Sequence, residues 1–419
     1  MQYVIIFLRV RVYWKRVKVS IWGVFLAKMI ISKLSLVNFR NHNKINLEFN
    51  PHMNIIIGDN ASGKTNILEA IIVLALTKSY KNVNDTDLIT FSKSKLKVKG
   101  NIRDEKIFKN LEVEITKEGK MVKLNNKRVN CLAEYVSNLK VVTFMPNDLE
   151  LIKGSPNIRR NLLNIELSQL SSLYLTTYNQ YNKLLKTRNE YLKLLFTNGI
   201  ADKNYFDILT DKLIEKAIVV YKLRYQYLKR INTDIDNIFK NITGQNGIRI
   251  LYKPNINFDK YEADVIKTTM TKIYKINYQR ELHLGMTIFG PHRDDFQFIY
   301  QENDMKLYSS QGQQKSAVLA YKLATISIFN EKSGTKPVLL LDDIFGELDL
   351  KKKNRLLKYI NTDIQSIITT TDLKNISKNA LATATIFSIS NGEIERRNNW
   401  WKKIMELNMI HLPYKFWKA

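Results

Sequence analysis

Cysteine is almost missing from this 419-residue chain: Cys131 stands alone, so no intrachain disulfide can form and a reducing cytoplasm is the natural setting. The five histidines (His42, His52, His283, His292 and His411) are scattered, with no cysteine at zinc spacing, so no structural zinc is expected. Seven prolines and fifteen glycines form no linker-like stretch, and there are no internal repeats. Acidic residues are scarce: 39 Asp and Glu face 66 Lys and Arg, a formal net charge of +27. Such an excess attracts polyanions, nucleic acid first and anionic membrane second. The alternative reading of the excess is a lineage-wide bias toward Lys, Asn and Ile, so charge alone supports nucleic-acid binding without establishing it. Long apolar runs are absent too. Residues 1–28 come nearest, but Arg9, Arg11, Lys15, Arg16 and Lys18 interrupt them and no small-residue cleavage site follows. No membrane span is expected. A regular alternating strand, Ile31-Ser32-Lys33-Leu34-Ser35-Leu36, begins just after Met29, so we expect Met29 to be the true start and 1–28 a translated upstream extension.

What is present fits an α/β protein with 45% hydrophobic and 25% charged residues. Short alternating strands run from Ile31 to Phe49, and Asn54-Ile55-Ile56-Ile57 is a buried strand leading into a glycine loop and a helix from about Lys64. Leu111 to Ile115 and Met121 to Leu124 flank the turn signal Lys117-Glu118-Gly119-Lys120. From Ser155 the pattern turns helical: Leu163, Leu167, Leu170, Tyr174, Tyr178, Tyr181, Leu185 and Leu192 fall at three- and four-residue steps. After Asn198-Gly199 a second run carries Leu209, Leu213, Ala217, Val220, Leu228, Ile231, Ile235 and Ile238 on one face. This predicts an antiparallel helical hairpin with arms of roughly 45–60 Å. A third helix is expected around Val265 to Arg280, with strands at 285–300, Val338 to Leu341, Ser366 to Thr370 and Ala384 to Ile389. The expected division is a head from 29–150 and 285–393, a helical lobe over 151–284, and an unassigned tail, 394–419, containing Trp400, Trp401 and Trp417.

Gly58-Asp59-Asn60-Ala61-Ser62-Gly63-Lys64-Thr65 matches G-x-x-x-x-G-K-[ST] in full, with a strand before it and a helix after. Glycines let backbone N–H groups curl around phosphate oxygens at the positive end of a helix. Lys64 is expected to reach the β- and γ-phosphates and the Thr65 hydroxyl to bind Mg²⁺. Val338-Leu339-Leu340-Leu341-Asp342-Asp343 is a buried strand ending in two acids. There Asp342 would hold Mg²⁺ and Asp343 would act as general base on the attacking water. A third segment, Ser309-Ser310-Gln311-Gly312-Gln313-Gln314-Lys315, opens a helical run. It reads either as an ordinary serine-capped helix or as the signature of ABC ATPases, whose Ser and Gly meet a γ-phosphate. Its place between P-loop and aspartate strand favours the signature, and Glu347-Leu348-Asp349 resembles the D-loop of that class.

Together these segments resemble the RecF family of ABC/SMC-type ATPases. The resemblance is carried also by Asn38-Phe39-Arg40-Asn41, by Pro146-Asn147-Asp148-Leu149 with Gly154-Ser155-Pro156 and Arg159-Arg160, and by Gly290-Pro291-His292-Arg293-Asp294-Asp295. It spans roughly Met29 to Gly392, with Asn164 standing where the family usually has an acid and Gly346 where a small Ser is common. It implies an ABC-type P-loop head with an inserted helical lobe, ATP and Mg²⁺ as cofactors, and a nucleotide site that includes Arg40, Ser310, Gln311, Gly312 and Gln313. It further implies an ATP-dependent homodimer binding single- and double-stranded DNA at gaps and junctions. A role in replication, DNA repair and the SOS response, and RecR and RecO as partners in loading RecA follow from it as well. Asp343, one methylene shorter than the Glu of many relatives, predicts weak, slow ATP hydrolysis, expected to be DNA-stimulated. Transporter ATPases carry a switch His after the strand that here ends in Thr369-Thr370-Thr371-Asp372, so a threonine hydroxyl is expected in its place, and no Q-loop Gln is identifiable. Lys183, Lys186, Arg188, Lys222, Arg224 and Arg230 on the hairpin are candidates for phosphate contacts. The Gly290 to Asp295 run reads either as a tight turn with an Arg–Asp pair or as a coupling segment between lobe and head, acting through Arg293.

Overall fold

The computed structural model describes residues 27–81, 83–104, 107–198, 202–344, 352–353, 355–357, 364–373, 376, 378–390 and 393–397. Glu347-Leu348-Asp349, Gly346 and the tail tryptophans lie outside the described residues, as do residues 1–26.

Two sheets sandwich one helix. The first contains β1 (Ala27–Phe39), β2 (His42–Glu48), β4 (Lys95–Asp104), β5 (Ile107–Thr116), β6 (Lys120–Leu124), β7 (Lys127–Arg128) and β12 (Thr335–Lys336), antiparallel except where β12 meets β1. The turn signal at Lys117–Lys120 does join β5 to β6, with Val113 opposite Val122. β1 already pairs at Ala27 and Lys28, two residues before the expected head boundary. The second sheet has the order β16-β15-β3-β14-β13-β8, parallel except at β16. Its members are β3 (Met53–Ile57), β8 (Val141–Phe144), β13 (Val338–Asp342), β14 (Ser366–Thr370), β15 (Thr385–Ser390) and β16 (Glu393–Arg397). Every residue of β3, β13 and β14 is buried, as continuous apolar runs in a parallel sheet covered on both faces require. The strand β16 crosses the expected boundary at residue 394: Ile394 pairs with Ile389.

Alternation along these strands divides the core. Ile56, Leu340 and Ile367 share one cluster with α1 (Lys64–Leu76) and the antiparallel sheet, while Ile55, Leu339, Leu341 and Ile368 belong to the cluster on the other face. Helix α1 is buried nearly all round because it lies between two sheets. Short helices α2 (Leu132–Val136) and α3 (Glu150–Lys153) lead to the opposite face, covered by α4 (Pro156–Leu170) and helices described below.

The helical lobe departs from the expected single run at Ser171. That residue is extended, and its hydroxyl accepts from the Tyr174 backbone N–H at 3.1 Å, so it ends α4 and caps α5 (Ser172–Asn198). Helix α6 (Lys203–Thr243) starts at Asp202, whose carboxylate accepts from Asn204 N–H, and stops at the left-handed Gly244. At 1.5 Å per residue α5 and α6 are about 40 and 60 Å long. They run antiparallel: Arg188 meets Thr210 and Tyr174 meets Arg224. α7 (Ala263–Leu284) packs on this hairpin. A strand missed by the helical reading, β9 (Ile248–Lys253), pairs with β10 (Asp295–Tyr300), which also pairs with β11 (Asn303–Asp304). Only β10 occupies the region where strands were expected over 285–300. Beyond it come α8 (Met305–Tyr308), α9 (Gln311–Ser333), buried against the parallel sheet and α6, and α10 (Lys378–Thr383).

Candidate functional site

The loop after β3 closes on α1 through Gly63, the helix N-cap at φ 101°. A Cβ there would lie 2.6 Å from the His42 ring, so glycine is required by both backbone and contact. His42 is buried with Nε2 3.1 Å from the Gly63 carbonyl, and burial holds its pKa below the ordinary value. Lys64 is drawn into the loop it closes: its ammonium donates to the carbonyls of Gly58 and Asp59, both at 2.7 Å. Burial lowers the lysine pKa, against the pull of Asp343, Asp342 and Asp59. Of the rest of the loop, Asn60 and Ala61 are exposed, with Ala61 left-handed at φ 63°, while Ser62 is half-buried and turns its hydroxyl inward toward Gly58.

The parallel sheet brings the two ends of the sequence motif pair together. Thr65 Oγ1 lies 2.9 Å from each oxygen of Asp342, across 277 positions of chain. β14 separates β3 from β13, and from it Thr369 Oγ1 donates to Asp342 Oδ1 at 2.6 Å. The next backbone N–H, that of Asp343, donates to the Thr369 carbonyl and hydroxyl, each at 3.1 Å. Asp343 sits at φ 46°, a conformation that costs a non-glycine residue energy and is held by its surroundings. A hydroxyl beside a carboxylate supplies hard oxygen donors suited to Mg²⁺.

Arg40, expected in the nucleotide site, is anchored to α1. Its guanidinium donates to both oxygens of Glu69 on α1, at 3.1 and 2.9 Å, and to the Asp87 carbonyl. Burial would raise the Glu69 carboxyl, but bonds from Arg40 and Ser79 and the charge of Lys81 hold it low. Tyr80, unmarked in the sequence, has its phenol pushed up by burial and then by Asp342 and Glu69, which puts it in the field of the site.

Ser310 caps α9 in a reciprocal box with Gln313: Ser310 Oγ accepts from Gln313 N–H at 3.3 Å and Gln313 Oε1 accepts from Ser310 N–H at 3.0 Å. Both readings of the segment therefore meet in one turn. Gln311 and Gly312 are exposed, and a Cβ on Gly312 would find nothing nearer than the Lys352 ammonium at 3.9 Å. None of Ser310, Gln311, Gly312 and Gln313 bonds to the P-loop of its own chain. Beside them Leu307 and Tyr308 are 70% and 73% exposed.

Two hairpin candidates for phosphate contact are corrected. Arg188 and Arg224 are buried, the first ion-paired with Glu281 at 2.8 Å and the second with Asp294 at 2.9 Å. They lie on the apolar stripe, where a guanidinium is bound to an internal partner and cannot reach solvent phosphate. Arg230 pairs with Asp234 and Glu331, and Lys186 with Glu190. Lys183 is exposed and Lys222 half-buried.

The RecF/RecN/SMC N terminal domain model matches residues 30–395. The DNA replication and repair protein RecF of Ligilactobacillus salivarius is 36% identical over 376 residues, covering 89% of this chain and 99% of that protein. A solved structure of "the recombination mediator protein RecF-ATP in RecFOR pathway" superposes with a TM-score of 0.83 at 30% identity, covering 90% of this chain and 100% of its own. The Smc head domain from Pyrococcus furiosus, at 16% identity and a TM-score of 0.50, covering 92% of this chain and 100% of its own, shares the fold. Sheet order, P-loop and aspartate strand thus define an ABC-type head of the SMC class with an inserted helical lobe. The chain belongs to the RecF family.

Proposed function

We propose that this chain is an ATP-dependent DNA-binding protein of recombinational repair, acting as an ATP-induced homodimer that binds gapped and junction DNA and promotes RecA loading with RecR and RecO. The observation that carries the nucleotide half is the Thr65–Asp342 pair at 2.9 Å, fixed by Thr369. In this reading 29–150 and 285–393 form the head, to which Ala27 and Lys28 add through β1 and residues 394–397 through β16, and 151–284 form the lobe. Among the described residues no helix is long and apolar enough to cross a membrane, and we place the protein in the cytoplasm.

The loop from Gly58 to Thr65 would wrap the phosphates, with the Lys64 ammonium exchanging its two carbonyl partners for phosphate oxygens. Thr65 and Asp342 would hold Mg²⁺, which supplies charge neutralisation to the phosphate chain. Asp343 would take a proton from the water attacking the γ-phosphorus as the bond to the β–γ bridging oxygen breaks and ADP leaves. The exposed signature, Ser310 to Gln313, would complete the site of a second copy, with Leu307 and Tyr308 covered in the same contact. Large apolar side chains this exposed favour such burial. Arg40, held by Glu69 of α1, would add its positive charge to the nucleotide site.

A short carboxylate on a left-handed backbone favours slow turnover, which also suits a clamp or scaffold without significant hydrolysis. Phosphate release separates the two. The wild type should turn over below about 1 s⁻¹ and faster with gapped duplex. Lys64→Ala should lose nucleotide binding, and Asp343→Asn should bind without releasing phosphate. ATP binding by the wild type with no release at all would favour the scaffold.

A further inference from the structure

The segment Gly290 to Asp295 is held at five of its six residues. Gly290 adopts φ 139°, and a Cβ there would lie 2.5 Å from the Tyr181 hydroxyl. Pro291 is buried, and its carbonyl accepts from Arg224 at 2.5 Å. His292 is bound on both ring nitrogens, Nδ1 2.6 Å from the Tyr181 hydroxyl and Nε2 3.1 Å from the Thr287 carbonyl. Asp294 accepts from Arg224, the Tyr252 hydroxyl and the Asn255 N–H. Asp295 accepts from Arg159 through two bonds, at 2.6 and 2.9 Å.

Arg293 is the exception. Its side chain is exposed and has no hydrogen-bond or ion-pair partner among the described residues. Both neighbouring carboxylates are consumed by other guanidiniums, so no internal anion competes for it. Arg160 stands beside it, half-exposed, with one N–H committed to the Asp294 carbonyl at 2.8 Å. Four guanidiniums (Arg159, Arg160, Arg224 and Arg293) meet two carboxylates here, a local excess of positive charge. His292 is kept neutral, its pKa lowered to about 4 by burial and then by the charges of Arg293, Arg160 and Arg224. A buried ionic network of this kind is costly to assemble and fixes geometry. What it fixes is a turn that holds one arginine out to solvent where α4, α5, α6 and β10 meet. Among the described residues Arg293 has no side-chain hydrogen bond or ion pair through which to couple lobe and head.

We propose that Arg293, supported by Arg160, is a docking point for a backbone phosphate of nucleic acid at the base of the hairpin. The planar fork of arginine accepts a phosphate through paired hydrogen bonds, and a chain carrying +27 attracts the polyanion before a carboxylate on a protein. This rests on the DNA-binding reading above.

The test uses the full chain with ATP and a labelled gapped duplex, titrated between about 50 and 200 mM salt. Arg293→Ala should lower affinity about tenfold and make the slope of log K against log salt shallower by about one. Melting temperature and ATP binding should stay at wild-type values, because the exposed side chain has no hydrogen-bond or ion-pair partner among the described residues. Arg293→Lys should keep the slope and recover part of the affinity; Arg293→Glu should weaken binding beyond the alanine variant. Wild-type affinity and slope in Arg293→Ala would overturn the proposal and assign the arginine to a carboxylate on a protein. A wild type that shows no salt-dependent DNA binding would instead remove the DNA reading itself.

Discussion

Thr369 ties both aspartates of the site to the sheet: its hydroxyl fixes Asp342, and it receives the Asp343 N–H. A hydrogen bond to a charged group is worth about 1.5–3 kcal/mol. Thr369→Val, equal in shape, should therefore lower kcat roughly ten- to a hundredfold with little change in KM, and should raise the Mg²⁺ concentration needed for half activity. Thr369→Ser should restore most of the rate; equal loss in both variants would reduce Thr369 to a packing role. At this scale the sequence was legible where chemistry is contiguous. The P-loop and the strand ending in Asp342 read directly, whereas the bond from Thr369 to Asp342 joins strands that only the sheet brings side by side. Glu69 and Tyr80 were not legible, because the pairing of Glu69 with Arg40 and the closeness of Tyr80 to Asp342 exist only once α1, the strands and the loop after α1 have packed. Arg188 and Arg224 misled for a related reason: helical periodicity assigns a face, but gives no hint of a buried partner 70 or more residues away.

Helices α4, α6 and α9 converge on one carboxyl. Glu166 of α4 accepts from the Tyr227 hydroxyl of α6 at 2.9 Å and the Tyr321 hydroxyl of α9 at 2.6 Å. Burial pushes its pKa up, opposed by the Lys322 charge and the two tyrosine bonds. The helix that begins with the signature is thereby joined to the long arm of the hairpin. Glu166→Gln keeps an acceptor and should unfold within about 1 kcal/mol of the wild type. Glu166→Ala leaves buried hydroxyls unpaired and should cost at least about 1–3 kcal/mol in urea titration; wild-type stability would contradict the link. The number and direction of the long helices followed from spacing, whereas the break at Ser171 did not, because apolar steps continue across it. Its signal was the serine pair at 171–172, an N-cap signature. β9 was hidden by its helical neighbours, although Ile248, Ile250 and Tyr252 alternate after two glycines.

For the whole molecule, the sequence order of strands hid the arrangement that matters. β3 and β13 are almost three hundred residues apart yet are separated in the sheet by one strand, which is what joins Thr65 to Asp342. The central claim concerns what one copy lacks. Its signature is exposed, bonds to no part of its own P-loop, and is flanked by the uncovered side chains of Leu307 and Tyr308. A second copy joined by nucleotide would cover them and form a basic surface for duplex DNA. The direct test is mass by light scattering for Asp343→Asn, with and without ATP, Mg²⁺ and gapped duplex. A dimer that forms only with ATP and binds DNA more tightly than the nucleotide-free monomer is the predicted result. A monomer under every condition, with DNA affinity indifferent to ATP, would contradict it.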